Sequence, residues 1–228
     1  MWWGFYLNNV MAIEINVFDA IYPAILKRFK IEISIIENIY HKSFDKESQK
    51  NLNDLDKLID DIITGKLNTD VLTSKELSEL IVKTEYEYRL THRFNDFLSY
   101  FTITTLYSSY EKYLKEVVIL PRRMDDIEYR RMSFMGNLIP FMKSQYGLNY
   151  NKLPNSLEIE ELRCLNNSIK HHREVNAELH TINPDKWILE KEIENVFDDF
   201  QRLKGVPYLT LEYLTKEIKL IVESNSNN

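Results

Sequence analysis

Seven side chains able to bind or protonate a phosphate group crowd into positions 166–173: Asn166, Asn167, Ser168, Lys170, His171, His172 and Arg173. An imidazole gives or takes a proton near neutral pH, ammonium and guanidinium groups bind phosphate oxygens, and an amide donates to them. Upstream, Arg163 stands four residues before Asn167, which stands four before His171. On a helix that spacing makes one row. Such a row can hold a phosphate, with Arg163 forking onto its oxygens, Asn167 donating and His171 moving a proton. Two consecutive asparagines in mid-helix are not explained by propensity, because Asn is a poor helix former. The competing account is a solvated face opposite the apolar stripe of Ile159, Leu162, Leu165 and Ile169, which Val175 extends.

The element that must position these residues is a helix over 158–176. The spacing predicts that it starts after Pro154-Asn155, with Ser156 as N-cap and Glu158, Glu160 and Glu161 near the positive end of its dipole. A second element is the run from Leu106 to Glu116, in which Glu111 and Lys115 form an i,i+4 pair. By itself such a pair contributes a few tenths of a kcal/mol.

The run Leu165-Asn166-Asn167-Ser168-Ile169-Lys170-His171 resembles the signature helix of the HEPN superfamily. These are small all-helical domains, many of them metal-independent ribonucleases of toxin–antitoxin and antiviral systems. The family pattern is an Arg, a polar residue, a few further residues and a His on one helix. His171 matches the His and Asn167 the polar residue. Asn166 stands at the Arg position, and the nearest upstream Arg, Arg163, lies eight residues before His171, wider than the family spacing. The run 106–116 resembles the helix that often precedes the signature helix, and Glu111 and Lys115 match a Glu-x-x-x-Lys element of some HEPN families.

The resemblance implies a homodimer whose signature helices face one another across a cleft. His171 would act as general acid or base while an RNA 2′-hydroxyl attacks the adjacent phosphate, leaving a cyclic phosphate with no metal and no cofactor. Arg163 and Asn167, with Asn166 and Lys170, would hold the phosphate and offset its developing charge. His172, Arg173, Arg130 and Arg131 are the further RNA-binding candidates, together with Arg122 and Arg123; ordinary surface ion pairing is their alternative role. A second reading keeps the fold and drops the chemistry, since Asn in place of Arg removes the permanently charged fork. The chain is then an interaction module, an accessory or immunity partner of another defence protein encoded by a neighbouring gene. A third reading is an unrelated helical protein with zinc held by Cys164, His171, His172 and His180, although a second close ligand pair such as C-x-x-C is missing.

Composition bounds these readings. The chain has 228 residues, enough for a sizeable core, and only five Gly and six Pro, too few punctuators for an all-β or Gly-looped α/β protein. It contains neither a P-loop nor a dinucleotide-binding glycine motif. The net charge of −6 argues against a broad nucleic-acid-coating surface and leaves room for a local basic pocket. One cysteine, Cys164, excludes an intrachain disulfide and fits a reducing, cytoplasmic setting. The apolar N-terminal extension, residues 1–16, has no Lys or Arg before Lys27 and is too short to span a membrane; Met11 is as good a starting residue as Met1.

Apolar periodicity predicts an all-α bundle of about six to seven helices in one domain, 17–223, with a long helix in the middle of the chain and a frayed tail at 224–228. The expected helices are 17–44, 46–64 closed by Gly65, a long region from Ser74 to Leu120 broken near Thr102–Thr105, 125–145 bent at Pro140, the signature helix, 187–203 and 209–222. Residues 66–73 are a connector, His92 within an aromatic-rich helix is read as structural with a catalytic role as its alternative, and Asn183-Pro184-Asp185 marks a turn. In 187–203 the inward residues are Ile188, Ile193, Val196, Phe197 and Phe200. Tyr208–Tyr213 is also readable as a short strand.

Overall fold

A computed structural model describes residues 3–43, 46–64, 74–122, 130–132 and 134–226. The chain is all-α. Among the described residues there is no strand, and a single isolated bridge pairs Glu174 with Glu192. The helices are α1 (Trp3–Ser43), α2 (Lys46–Ile63), α3 (Ser74–Ile119), α4 (Ile139–Tyr146), α5 (Ser156–His171), α6 (Ala177–Ile182), α7 (Val196–Leu203) and α8 (Val206–Ser226). Short 3₁₀ turns at Leu120–Arg122 and Tyr150–Lys152 and a π-turn at Phe134–Leu138 join them. Among the described residues no helix is long and apolar enough to cross a membrane.

The chain divides into two compact units. One comprises Met1–Ile36 and Ile103–Asn228, the other Glu37–Thr102. The first holds the candidate site. Its core is built from residues three and four apart: Phe18, Tyr22, Ile25 and Phe29 of α1, Leu106, Tyr110, Tyr113, Leu114 and Val117 of α3, Leu162, Leu165 and Ile169 of α5, and Leu211, Leu214 and Ile218 of α8. The last carbonyls of α3 have no partner within the helix. Two tyrosines supply donors, Tyr22 Oη to Val117 O at 3.0 Å and Tyr146 Oη to Val118 O at 2.9 Å. Tyr113 Oη also donates to Glu32 of α1, 2.6 Å away. In the second unit Tyr40 of α1 donates to Asn95 Oδ1 of α3 at 3.0 Å, and Thr84, Leu98 and Thr102 line the inward side of α3.

Several expectations need correction. Helix α1 begins at Trp3, not near residue 17. The break expected at Thr102–Thr105 does not occur, and α3 runs unbroken for 46 residues. Ser99 Oγ donates to Asn95 O at 2.9 Å and Thr102 Oγ1 to Ser99 O at 2.6 Å, so these hydroxyls return to the preceding turn instead of opposing the helix. The division between the two compact units, however, falls between Thr102 and Ile103. Of the helix expected over 125–145, residues 125–129 lie outside the described residues, and Pro140 sits in the first turn of α4, where a missing N–H costs nothing. Gly65 and the connector 66–73 also lie outside them.

The helix expected over 187–203 starts only at Val196. Glu190 and Asn195 adopt left-handed backbone, φ 62° and 53°. Residues 190–193 pair instead with 173–175, through Val175 N–H to Lys191 O (2.9 Å), Glu190 N–H to Val175 O (3.0 Å) and Ile193 N–H to Arg173 O (3.0 Å). Ile188, expected inward, is exposed. The last helix is longer than expected and takes in Tyr208–Tyr213, which leaves no strand there; Pro207 occupies its first turn.

Candidate functional site

Helix α5 begins and ends differently from its sequence expectation. Asn155, with left-handed backbone (φ 61°), precedes it and makes no side-chain cap; Ser156 is the first helical residue, and its Oγ donates to Asn151 O at 3.2 Å. The helix stops at His171 rather than continuing to residue 176. The N–H groups of His172 and Arg173 both point to Ser168 O, at 3.1 and 2.9 Å, and Arg173 turns left-handed with φ 59°. Lys170, His171, His172 and Arg173 are therefore gathered at the end of α5 and are all exposed. The rings of His171 and His172 lie 6.1 Å apart, centroid to centroid, and are tilted by 41°.

The rest of the predicted row is divided. Asn167 is half-buried, while Asn166 is only 1% exposed, so it faces the interior and is not placed to touch RNA. Its Nδ2 makes a 3.4 Å contact with Asn167 Oδ1, and its own Oδ1, like Ser168 Oγ, is buried with no hydrogen-bond partner among the described residues. Arg163 is engaged by carboxylates. Its Nε donates to Glu160 Oε2 at 2.9 Å, and its Nη2 donates to Glu160 Oε1 at 2.6 Å and to Glu178 Oε2 of α6 at 3.0 Å. The hydrogen bonds to Glu160, foremost, raise its pKa well above the ordinary guanidinium value. Nε and Nη2 both meet negative charge, which disfavours an incoming phosphate at that edge. The catalytic role expected of Arg163 is not what its surroundings provide.

Cys164 lies under this clamp. Burial, above all, pushes its thiol up to about 12, against the pull of Arg163. Only a thiolate reacts readily. In the folded protein Cys164 is expected to resist an aromatic disulfide reagent at pH 8 and to react stoichiometrically in denaturant. Prompt reaction under native conditions would show that the clamp opens.

The two elements that carry the resemblance are linked electrostatically. Glu111 of α3 lies close enough to Lys170 of α5 to feel its charge. Burial raises the Glu111 carboxyl above its usual range, and the Tyr107 hydroxyl and Lys170 lower it only in part. Desolvation lowers the pKa of the Lys115 ammonium. Tyr110 Oη stands 3.4 Å from Tyr150 Oη, and burial pushes Tyr150 up to about 12. A carboxyl raised on folding contributes stability below its unfolded pKa and loses it as pH rises through the folded value. Glu111→Gln is therefore expected to raise the melting temperature at pH 7–8 relative to wild type and to lose that advantage at pH 4. A melting-temperature series across that range reads the difference.

Arg122, Arg130 and Arg131 are exposed, and Asn137 Nδ2 donates to Arg131 O at 2.7 Å; Arg123 lies outside the described residues. The zinc alternative lacks its geometry. Cys164 is buried between Glu160 and Glu178, His171 and His172 are exposed, and His180 Nδ1 sits 2.6 Å from Trp187 O. Among the described residues no group of three or more His, Cys, Asp or Glu could hold a metal ion.

One cluster was missed by sequence reasoning. Glu161, on the inner side of α5, accepts Trp187 Nε1 at 2.7 Å and both terminal nitrogens of Arg202, at 2.9 and 2.7 Å. Arg202 also donates to buried Asp199 at 2.8 Å, and Lys186 pairs with Asp199. The available signal was an acid beside the apolar stripe of α5, which requires a buried partner. Its partners are 26 and 41 residues away and cannot be read from the helix. Comparison with protein-family models, with curated proteins and with solved structures gives no match.

Proposed function

We propose that this chain is a HEPN-like, metal-independent endoribonuclease of a toxin or antiviral defence system, working in the cytoplasm at the exposed end of α5. The observation that carries this reading is the pair of imidazoles, His171 and His172, 6.1 Å apart and flanked by Lys170 and Arg173 at that end. Cleavage by transphosphorylation needs such a set. One imidazole removes the proton of the RNA 2′-hydroxyl, whose oxygen attacks the adjacent phosphorus. A protonated imidazole gives its proton to the departing 5′-oxygen, leaving a 2′,3′-cyclic phosphate and a 5′-hydroxyl. Lys170 and Arg173 offset the charge gathering on the phosphate oxygens, the role that the resemblance gave to Arg163. His171 is the principal acid or base, and a homodimer would bring two such helix ends to one cleft.

The test is cleavage of single-stranded RNA by the purified protein with chelator present, comparing wild type with His171→Ala and His172→Ala. Chelator-resistant cutting, cyclic-phosphate ends and loss in His171→Ala are expected. Cutting that survives His171→Ala would remove the proposal.

A second reading is favoured by Arg163, whose guanidinium is bound by Glu160 and Glu178, and by the burial of Asn166. Without a guanidinium free on the helix face, the domain could serve as an inactive partner of a protein from a neighbouring gene. Absence of cutting, together with a stable complex with that protein, would decide for it.

A further inference from the structure

Helix α3 carries a row of apolar side chains that the described residues leave exposed. Val82 is 66% exposed, Tyr86 67%, Leu90 56%, Phe94 49% and Phe97 61%. All five lie in the unit Glu37–Thr102, whereas α5 belongs to the other unit. The steps of four, four, four and three make one ridge about 22 Å long. The inward side of the same helix is a different one, marked by buried Thr84, Leu98 and Thr102. Solvated helix faces carry single apolar residues, not five in a continuous row.

We propose that this ridge is an interface with a second copy of the chain, the two α3 helices crossing antiparallel with Leu90 at the two-fold axis. The spacing of the ridge is symmetric about Leu90. Tyr86 and Phe94 lie four residues to either side of Leu90, and Val82 and Phe97 lie eight and seven away. A two-fold axis at Leu90 sets Tyr86 of each copy against Phe94 of the other, and the small Val82 against the large Phe97. Such a surface is complementary to itself, as an isologous contact requires. Interdigitation of i,i+4 ridges is also the commonest way for two helices to pack.

The exposed area suits such a contact. The three aromatic rings, about half to two-thirds exposed, present on the order of 350 Å². Val82, Leu90 and the flanking stems bring each copy towards the roughly 800 Å² per partner of a stable interface. Charge at the edge of the ridge fits as well. Arg93 borders the ridge and makes no ion pair among the described residues. The same axis brings it towards Glu85 of the second copy, which within its own chain holds Arg89 at 2.5 Å. This contact is separate from the one that the HEPN resemblance implies between signature helices.

The test uses the full chain at tens of micromolar. Light scattering behind size exclusion is expected to give half the wild-type mass for Leu90→Glu, with an unchanged circular dichroism spectrum. Leu90→Cys, milder and independent of that fold control, is expected to form an interchain disulfide under mild oxidation. Val82→Cys, far from the axis, is not. A mass unaffected by Leu90→Glu, no cross-link at position 90, or equal cross-linking at position 82 would each overturn the proposal. None of these readouts involves RNA, so the ribonuclease reading stands or falls separately.

Discussion

Arg202→Met is expected to lower the unfolding free energy by about 3 kcal/mol, the lower end of the range for removing one partner of a buried ion pair. Glu161 and Asp199 are both buried, and Arg202 is the side chain that neutralises them together. Without it, Glu161 keeps one neutral donor, Trp187 Nε1, and Asp199 keeps Lys186. Two carboxylates then share a poorly solvated site with one cation between them. The lower end applies because the Arg202 side chain is 40% exposed, so water already reaches the guanidinium and can reach the space it leaves. Urea unfolding at pH 7 measures the loss. Glu161→Gln combined with Arg202→Met should recover part of it, since an amide can still accept from Trp187 and carries no charge to strand. A loss below about 1 kcal/mol for the single variant would mean that the network is solvated and does not hold α5 against α7.

The long helices were legible because their apolar residues recur every three or four positions over several turns. Leu162, Leu165 and Ile169 of α5 were read as an apolar stripe and are buried. Ends were less legible, because they depend on single residues leaving helical backbone. Asn155, Arg173, Glu190 and Asn195 all adopt positive φ, and neither Arg nor Glu announces such a turn. The expected break at Thr102–Thr105 failed for the opposite reason. Weak local helix preference was overridden where Thr102 and Ile103 are fully buried. At the candidate site the residue types could be read, but not which of them would be engaged elsewhere. Glu160, three residues from Arg163, was visible as a helical neighbour. Glu178, fifteen residues on and in another helix, was not, and it closes the second side of the clamp.

Because of that clamp, His171→Ala and Arg163→Ala are expected to behave differently, although the sequence places both residues in one row. His171 is the last residue of α5 and exposed, so its replacement should leave the unfolding curve within about 1 kcal/mol of wild type, the scale of a helix-end charge. Cleavage should fall by about 10²–10⁴-fold, the usual contribution of a positioned acid or base. Arg163→Ala should differ in its effect on cleavage, not on stability. Its partners Glu160 and Glu178 are 37% and 64% exposed and can turn to water, so the stability loss should be modest, about 1 kcal/mol. Cys164 should become reactive to thiol reagents as its cover is removed. Cleavage per folded molecule should change by no more than a few fold, because the guanidinium is directed at carboxylates and not at the end of the helix where Lys170, His171, His172 and Arg173 gather. Measuring both variants side by side, with rates normalised to folded protein, separates the two residues. If Arg163→Ala abolishes cutting while the protein stays folded, the fork must leave its carboxylates when RNA binds, and the phosphate site extends along α5 as the four-residue spacing first implied.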